Sequence, residues 1–324
     1  PANTVIVGRK GTINHPLYVT EPFWNIDTAF GVVAGEELLP KFLYYFCLQF
    51  NFKELDKSTG RPSVSKADLL KIEMPIPNIE EQARIVSRIE ELFSELDKGV
   101  ETLQVIKEQL AVYRQAVLKM VFASMNERKS IQEVSSLVTS GSRGWAKYYN
   151  EKGVRFIRIT DLTRDKIKLK NNAIQRVLLP EGVEGKRSRL QGNDVLISIT
   201  ADLGSIALVP EDVEEAYINQ HIAVVRFVNS HQGEFMAWYL KSDYGQKELL
   251  CNKRGGGKLG LGLDDIRNTS VPIVSDEVAD EVVSEIESRM SVCDSIEQTV
   301  NVALSQAEAM RQSILKKALE GGLN

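Results

Sequence analysis

Two stretches that combine glycine, cations and hydroxyl groups are the parts of this 324-residue sequence best suited to chemistry. They occupy residues 58–63 and 253–262. Glycines let a loop approach a phosphate closely and offer unhindered N–H groups, while Lys and Arg supply positive charge. We therefore predict contacts with a nucleic-acid backbone, the alternative being flexible surface loops. The candidate residues are Thr59, Arg61, Ser63, Lys253, Arg254, Gly256 and Lys258.

Further candidates come from segments that mix cations, hydroxyls and aromatic rings. Residues 139–149 carry all three, which suits contacts with DNA phosphates and grooves, although Trp145 and Tyr148 fit a hydrophobic core equally well. Residues 9–12 follow a predicted strand, and the equivalent strand in the second half of the chain is followed by Thr200. Two domains that prefer different bases require substitutions of this kind. The candidates from these segments, from the flanks of a predicted strand and from a basic loop are Arg9, Lys10, Thr12, Ser140, Ser142, Arg143, Lys147, Tyr148, Arg158, Thr160, Arg187, Arg189 and Thr200.

Catalytic patterns are absent from the sequence. It contains no HExxH motif, no GxxxxGK[ST] phosphate loop and no Ser/His/Asp set with a nucleophile elbow. The three Cys and three His residues are scattered, so we expect them to be structural or to lie on the surface. Asp264 and Asp265 would repel a phosphate from the neighbouring glycine-rich stretch. We predict no catalytic residue, no cofactor site and no metal site.

The net charge of −4 is unevenly distributed. Residues 129–275 carry 21 Lys and Arg against 17 Asp and Glu, whereas residues 276–324 carry 4 against 10. Because clustered cations bind phosphates, the overall acidity does not exclude a nucleic-acid partner for the more basic segment. No apolar run approaches the roughly 18 residues of a membrane span, and the first residues lack the pattern of a signal peptide. We predict a cytoplasmic protein with no membrane partner.

An internal repeat with an offset of 197 residues organises the chain. Its register holds without a gap for about 60 residues, and matched pairs include Pro75 with Pro272, Ile89 with Ile286 and Arg114 with Arg311. Further upstream, residues 3–7 align with 193–197 at a slightly smaller offset. One full repeat spans residues 129–324, and residues 1–128 match only its last two thirds. We therefore expect the first domain to be N-terminally incomplete.

Each repeat ends in a long helical pattern. Apolar residues recur every three or four positions from residue 80 to 123 and from 276 to the glycines at 321 and 322. The predicted seam consists of Ile85, Ile89, Leu92, Leu96, Val100, Leu103, Ile106, Leu110, Tyr113 and Val117 in the first helix, and of Ile286, Met290, Cys293, Val300, Ala303, Ala307, Met310 and Ile314 in the second. Since neither helix can bury its stripe alone, we expect the two to pack as an antiparallel coiled coil. A homodimer zipper is the alternative.

The segments before these helices predict the α+β class. Short β-branched runs at residues 154–159, 194–199 and 222–227 are typical of strands, and residues 233–250 of one helix. We predict α+β domains at residues 1–79 and 129–275, each followed by a long helix, at 80–128 and 276–324.

Three segments resemble type I restriction–modification specificity subunits: MPIPNIEEQARIV at residues 74–86, YRQAVLK at 113–119 and MRQSILKKA at 310–318. That family has a proline-flanked strand end, an EEQ helix start and an RQ(A/S)(V/I)L helix end. The similarity covers nearly the whole chain. The second helix departs from the pattern, because it starts with Glu277, Val278 and Ala279 where the family favours Glu-Gln.

The resemblance implies two target-recognition domains, each of which reads half of a bipartite, asymmetric site in double-stranded DNA, and paired helices that act as a ruler between them. It further implies two methyltransferase (modification) subunits, which bind S-adenosylmethionine, and restriction (endonuclease and translocase) subunits, which use ATP and Mg²⁺. The subunit itself would be non-catalytic. The alternative function is a coiled-coil scaffold whose α+β domains bind protein.

Overall fold

The computed structural model describes residues 1–182, 185–251 and 260–321. Its strands are β1 Thr4–Gly8, β2 Leu17–Val19, β3 Ala29–Val33, β4 Arg128–Ser130, β5 Ser135–Ser140, β6 Tyr149–Asn150, β7 Val154–Ile157, β8 Arg176–Val177, β9 Val195–Ser198, β10 Ile206–Leu208, β11 Ala216–Ile218, β12 Ile222–Phe227 and β13 Ser270–Pro272. Its α-helices are α1 Pro40–Gln49, α2 Lys66–Leu69, α3 Ile79–Phe122, α4 Ile131–Val134, α5 Gly233–Lys241, α6 Asp243–Leu250, α7 Leu263–Arg267 and α8 Asp276–Leu319. Short 3₁₀ helices lie at Phe52–Leu55, Trp145–Tyr148, Ile159–Asp161, Lys186–Ser188 and Ser230–Gln232.

The chain divides into two compact units. The first comprises Pro1–Lys107 and Gln298–Asn324, and the second comprises Glu108–Glu297. Both long helices therefore contribute one end to each unit. No helix within residues 1–182, 185–251 and 260–321 combines the length and the apolar character needed to cross a membrane.

In the first unit, an antiparallel sheet with the order β2-β1-β3 packs on α1. Val5 and Val7 of β1 point into the core and are fully buried, as the alternation of a strand requires. The opposite face of the sheet stays open: Leu17 and Val33 are more than half exposed. In the second unit the residue equivalent to Ile6, Leu196, is fully buried in a separate hydrophobic cluster.

The second unit contains two four-stranded sheets with the orders β10-β9-β12-β5 and β11-β7-β8-β6. Central strands β9 and β12 are buried on both faces, which explains their nearly continuous apolar sequence. Ile197 and Val225 face the cluster that includes α5 and the helix ends, while Leu196 and Val224 belong to the other cluster. In the small sheet β13-β4, β4 follows α3 in the sequence and β13 precedes α8.

The long helices have matching bounds, because α3 and α8 are each 44 residues long and both ends differ by the repeat offset. In the first unit, Asp97 of α3 pairs with Arg311 of α8, and Lys107 Nζ lies 3.1 Å from Asn301 Oδ1. In the second, Arg114 donates to Asp294. Since residue numbers fall along α8 as they rise along α3, the helices run antiparallel. The predicted fold, α+β with two long antiparallel helices, is confirmed.

Two details of the predicted seam are wrong. Tyr113 is 44% and Met310 55% exposed, and the adjacent arginines Arg114 and Arg311 occupy the inner positions instead. The reason is electrostatic: Arg114 reaches two carboxylates on the opposite helix and Arg311 reaches one, and an apolar side chain could not pair with them. Tyr113 lies at the edge of the seam, where its hydroxyl accepts a hydrogen bond from Arg289.

The single helix predicted for residues 233–250 is also wrong, because the structure divides it into α5 and α6 at Ser242. Ser242 adopts an extended conformation, and its hydroxyl oxygen accepts a hydrogen bond from the Gly245 N–H and so caps α6. The apolar pattern continues across the break, which is why periodicity alone missed it. The predicted strands at 154–159, 194–199 and 222–227 correspond to β7, β9 and β12, with shorter ends in the first two.

A glutamine in the first turn of α3 connects the helix to the chain segments beside it. Gln82 is fully buried: its Oε1 accepts a hydrogen bond from Leu39 N–H, and its Nε2 donates to the carbonyls of Glu37 and Pro77. At the equivalent position of α8, Ala279 is packed in the hydrophobic cluster of the second unit. The departure from the Glu-Gln pattern therefore replaces a hydrogen-bonding role with apolar packing.

Candidate nucleic-acid interface

Two predicted DNA-contacting loops of the first unit meet at one junction. The segment after β1 and the segment at residues 61–63 are joined by hydrogen bonds from Gly11 N–H to Pro62 O at 2.7 Å and from Val64 N–H to Arg9 O at 3.0 Å. Gly11 has a φ of 82°, and a Cβ there would lie 2.8 Å from Arg61 Nη2. The glycine thus permits both the left-handed backbone and the close approach of the arginine.

The junction is cationic on its exposed side. Arg9 and Lys10 are exposed and line a cleft of about 390 Å³ together with Phe30, Ser63 and Lys66. The Arg9 guanidinium lies 5.8 Å from the centroid of the Phe30 ring and donates to the Asp27 carbonyl oxygen. Arg and Lys side chains can only donate hydrogen bonds, so this surface suits an anionic acceptor such as phosphate.

One carboxylate organises the second loop of this junction. Asp56 Oδ1 accepts hydrogen bonds from Ser58 N–H at 3.0 Å, Ser58 Oγ at 2.7 Å and Ser63 N–H at 3.1 Å. The side-chain and backbone hydrogen bonds from Ser58 and the one from Ser63 lower the pKa of Asp56. The candidates Thr59 and Arg61 are exposed on the loop that these bonds close, and Thr12 is exposed on the facing segment.

The second unit repeats the same backbone junction. Leu261 N–H donates to Ile199 O at 3.0 Å, as Val64 does to Arg9 in the first unit. An isolated bridge pairs Thr200 with Gly260, where the first unit pairs Lys10 with Ser63. Both residues of each pair correspond through the offsets found in the sequence, so the junction is part of the repeat.

At this second junction Ile199 and Thr200 take the places of Arg9 and Lys10, and a histidine lies beside Thr200. Thr200 Oγ1 lies 2.6 Å from His221 Nδ1, and His221 Nε2 lies 3.2 Å from Gln220 Nε2. The turn that carries the histidine is held by Asn219, whose Oδ1 accepts from His221 N–H and whose carbonyl oxygen accepts from Ile222 N–H. All four polar residues are half-buried.

Candidates Ser140 and Ser142 flank the same turn. Ser140 ends β5 and pairs with Ala223 of β12, and Ser142 N–H donates to Ile218 O. Gly141 lies between them, and a Cβ there would collide with the backbone carbonyls that lead into the turn. The segment therefore approaches the turn so closely that only glycine fits.

The aromatic residues of the 139–149 segment are structural in part. Trp145 is buried and packs on Phe156 and Tyr217, with ring centroids 5.6 and 5.4 Å apart. Tyr148 is half-buried against this cluster, and Lys147 Nζ lies 4.9 Å from its ring centroid. Lys147 and the neighbouring candidate Arg143 are exposed.

The remaining arginine candidates lie elsewhere in the second unit. Arg158 is held by hydrogen bonds to Gln175 and to the Ala173 carbonyl oxygen, and Thr160 is exposed in the adjoining 3₁₀ helix. Arg187 and Arg189 are exposed, and Arg189 forms an isolated bridge with Tyr217 of β11. None of these four has a hydrogen bond to Thr200 or His221 among the described contacts.

The glycine-rich candidates Lys253, Arg254, Gly256 and Lys258 lie outside the described residues. Within residues 1–182, 185–251 and 260–321, no group of three or more His, Cys, Asp or Glu residues is placed to hold a metal ion.

Sequence reasoning missed three residues that the structure brings to these junctions. Phe30 and Lys66 lie in the cleft of the first unit, and His221, for which the sequence predicts a structural or surface position, bonds to the candidate Thr200. The available signal was position, because His221 immediately precedes β12 just as Thr28 precedes β3. Thr28 O accepts from Arg9 N–H and His221 O from Ile199 N–H, both at 2.9 Å, which confirms the equivalence.

Comparisons with known proteins agree with this architecture. The family model described as type I restriction modification DNA specificity domain matches residues 1–108 and 127–306. The chain is 24% identical to the type I restriction enzyme EcoBI specificity subunit of Escherichia coli, over 98% of this chain and 73% of that protein. It is 23% identical to the StySPI specificity subunit of Salmonella potsdam, with the same two coverages.

Solved structures show the same fold. A chain from work on complex assembly and conformational transition of the type I R-M system superposes with a TM-score of 0.79 at 19% identity, covering 99% of this chain and 83% of that one. The HsdS subunit of Thermoanaerobacter tengcongensis gives a TM-score of 0.52 at 18% identity, with coverages of 99% and 82%. The family model matches well over half of the residues of this chain, and the chain therefore belongs to the family of type I restriction modification DNA specificity domains.

Proposed function

We propose that this chain is the DNA sequence-specificity subunit of a type I restriction–modification complex. It recognises a bipartite, asymmetric site in double-stranded DNA and brings modification and restriction subunits to that site. One unit reads each half of the site through its junction of two loops. The named relatives are specificity subunits of type I restriction enzymes, which supports this assignment.

The observation that carries the proposal is the repeated junction with different side chains. In both units, the second residue after a central strand pairs with a residue of the loop that precedes a short helix. The pairs are Lys10 with Ser63 in the first unit and Thr200 with Gly260 in the second. A conserved frame with exchanged side chains is what two readers of different base sequences need. Phosphate contacts position a protein on DNA, whereas contacts to base edges specify the sequence.

The subunit is proposed to be non-catalytic, with no cofactor of its own. The chemistry then belongs to its partners: two methyltransferase subunits that use S-adenosylmethionine, and restriction subunits that use ATP and Mg²⁺. The long helices α3 and α8, which both units share, are the surfaces we assign to docking these partners.

The test is selection from a randomised duplex library by the full chain, co-expressed with its methyltransferase partner, over a series of salt concentrations. We expect a split motif with a constant gap and an affinity that falls as salt rises. A complex that binds no DNA, or that binds without any motif at every salt concentration, would instead support the scaffold function.

Charge variants sharpen this test. Removal of one phosphate contact lowers the slope of log affinity against log salt by about 0.9, so Arg9→Ala and Lys10→Ala should each lower it by about that amount. The matched control is Lys53→Ala, since Lys53 is an exposed cation of the first unit that lies in the 3₁₀ helix Phe52–Leu55, away from both long helices. An equal slope change in the control would contradict the assignment of the junction to DNA.

A further inference from the structure

The two junctions share a backbone but differ in the hydrogen bonds that their side chains can form. In the first unit, Arg9 and Lys10 present only donors and full positive charge. In the second, Ile199 is buried at the position of Arg9, and Thr200 replaces Lys10. Thr28, the residue before β3, is replaced by His221. The residues that follow the strand are therefore charged in the first unit and uncharged at Ile199 and Thr200 in the second, although the main-chain bonds around them are the same.

The contact between Thr200 and His221 has a defined arrangement of protons when the imidazole is neutral. A neutral imidazole has one donor and one acceptor nitrogen. The Gln220 amide nitrogen can only donate, so in this form His221 Nε2 accepts from it and Nδ1 carries the proton. Nδ1 then donates to Thr200 Oγ1 across 2.6 Å, and the hydroxyl proton of Thr200 remains available for an acceptor outside the protein. Thr200 also carries a methyl group, which offers an apolar surface to a ligand.

The surrounding backbone holds this pair in place. Asn219 closes the turn that carries His221, through both its side chain and its carbonyl oxygen. On the other side, Ala201 has a φ of 57°, a left-handed conformation that costs energy for any residue except glycine. Ser198 Oγ donates to the Asp202 carbonyl oxygen and so closes the β9–β10 loop. A preorganised donor on a rigid loop suits discrimination between bases better than attraction to a phosphate.

We propose that Thr200, oriented by His221, reads a base edge in the half-site of the second unit, whereas Arg9 and Lys10 bind phosphates in the first. This inference rests on the proposed function. A hydroxyl and a methyl group on one side chain match the features of the major groove, where base edges present acceptors and the thymine methyl group. Thr200 thus acts as a specificity-determining residue, and His221 as its positioning residue.

The experiment is motif selection from the randomised duplex library with the full chain in complex with its methyltransferase partner. The variants are Thr200→Val, which keeps the shape and removes the hydroxyl, and His221→Gln. We expect Thr200→Val to lower the preference for one or two base pairs in one half of the motif by about 2- to 10-fold, the effect of one hydrogen bond. The other half and the salt slope should stay unchanged, because no charge is lost. His221→Gln should weaken the same base preference by a smaller factor.

Two further variants separate this proposal from a general loss of structure. Ser136→Ala removes a hydroxyl at the other end of β5, which bonds to the Arg226 carbonyl oxygen, and should leave both half-sites intact. Thr200→Lys installs the residue of the first unit, and should steepen the salt dependence while relaxing the base preference. Thermal unfolding of each variant checks that the second unit remains folded.

The outcomes separate the two levels of the proposal. If the wild-type complex selects no motif, the proposed function itself fails. If the wild type selects a split motif but folded Thr200→Val and His221→Gln select the same motif with the same preferences, the base-reading role of Thr200 is refuted while the function stands. Weaker binding of Thr200→Val to all sequences, without any change of base preference, would likewise refute it, because that is the signature of a phosphate contact.

Discussion

Arg114 and Arg311 occupy equivalent positions in the repeat, yet the structure predicts unequal effects for Arg114→Met and Arg311→Met. Arg114 is 8% exposed, and its guanidinium donates to Asp294 and Glu297, each at 2.8 Å. Burial opposes the charge on Arg114, and the hydrogen bonds and charges of the two carboxylates outweigh that effect and raise its pKa. Arg311 has a more exposed side chain, one carboxylate partner in Asp97, and a contact of 4.4 Å with the centroid of the Phe93 ring.

The expected loss of unfolding free energy in each variant follows from the environment of its arginine. Removal of one partner of a buried ion pair costs about 3–5 kcal/mol. Side chains of Asp294 and Glu297 are 45% and 26% exposed, so solvent screening reduces the expected loss for Arg114→Met to about 2–3 kcal/mol. For Arg311→Met, an exposed pair and a cation–π contact together contribute about 1–1.5 kcal/mol. Methionine keeps most of the aliphatic stem, so lost packing adds little in either case.

Urea unfolding provides the assay, because the tryptophans report separately on the second unit. Trp145 and Trp238 are buried there, whereas Trp24 of the first unit is 95% exposed and should change little on unfolding. With a slope of about 3 kcal/mol per molar urea, Arg114→Met should lower the fluorescence midpoint by roughly 1 M. Circular dichroism follows both units and should show the smaller effect of Arg311→Met. Equal losses for the two variants, or an unchanged midpoint for Arg114→Met, would refute this reasoning.

Three further predictions concern pH, loop order and steric fit. Burial, and next the charge of Glu287, raise the pKa of Glu234 from 4.5 to about 7, so its contribution to stability is present below about pH 4.5 and lost as the pH rises to about 7. Solvent screens this half-exposed group, so the free energy of unfolding of Glu234→Gln should exceed that of the wild type by about 1–2 kcal/mol near pH 8. Near pH 4 the two proteins should unfold at the same urea concentration, and a difference that does not depend on pH would contradict this. Asp56→Ala should weaken DNA binding about fivefold in a fluorescence-anisotropy titration, because the loop is no longer held in place and its ordering on binding costs about 1 kcal/mol. Removal of the negative charge acts in the opposite direction, so tighter binding would show that the charge effect is the larger one. Gly141→Ala should lower the stability of the second unit by about 1–3 kcal/mol by thermal unfolding, since a Cβ collides with backbone carbonyls, and an unchanged midpoint would mean that the turn yields freely.

Local patterns made most of the fold predictable. The repeat, both long helices and the α+β class follow from the spacing of apolar residues, which depends only on neighbouring positions along the chain. The start of α3 could be placed within a residue because prolines 75 and 77 stop a helix from extending backwards. The break at Ser242 could not, because the apolar pattern of α5 continues into α6.

The sequence predicted which residues of the candidate site suit DNA contacts, but not how those residues are arranged in space. The sequence indicated that residues 9–12 and 58–63 were chemically suited to DNA, but not that they form one junction. Whether Trp145 belongs to the core was left open, and its burial depends on Phe156 and Tyr217, which are distant in sequence. For the partnership of His221 with Thr200, the sequence offered only the position of His221 before β12 and no pattern in the neighbouring residues.

What the sequence by itself determined is the repeated architecture, because helix and strand periodicity, proline stops and residue-by-residue repetition are encoded locally. What only the tertiary structure decided is which side chains share an environment. Arg114 and Arg311 begin similar RQ motifs, yet one is enclosed by two carboxylates and the other by a single carboxylate and an aromatic ring. Lys10 and Thr200 occupy one backbone frame with different chemistry for the same reason: burial and hydrogen-bond partners come from segments that only folding brings together.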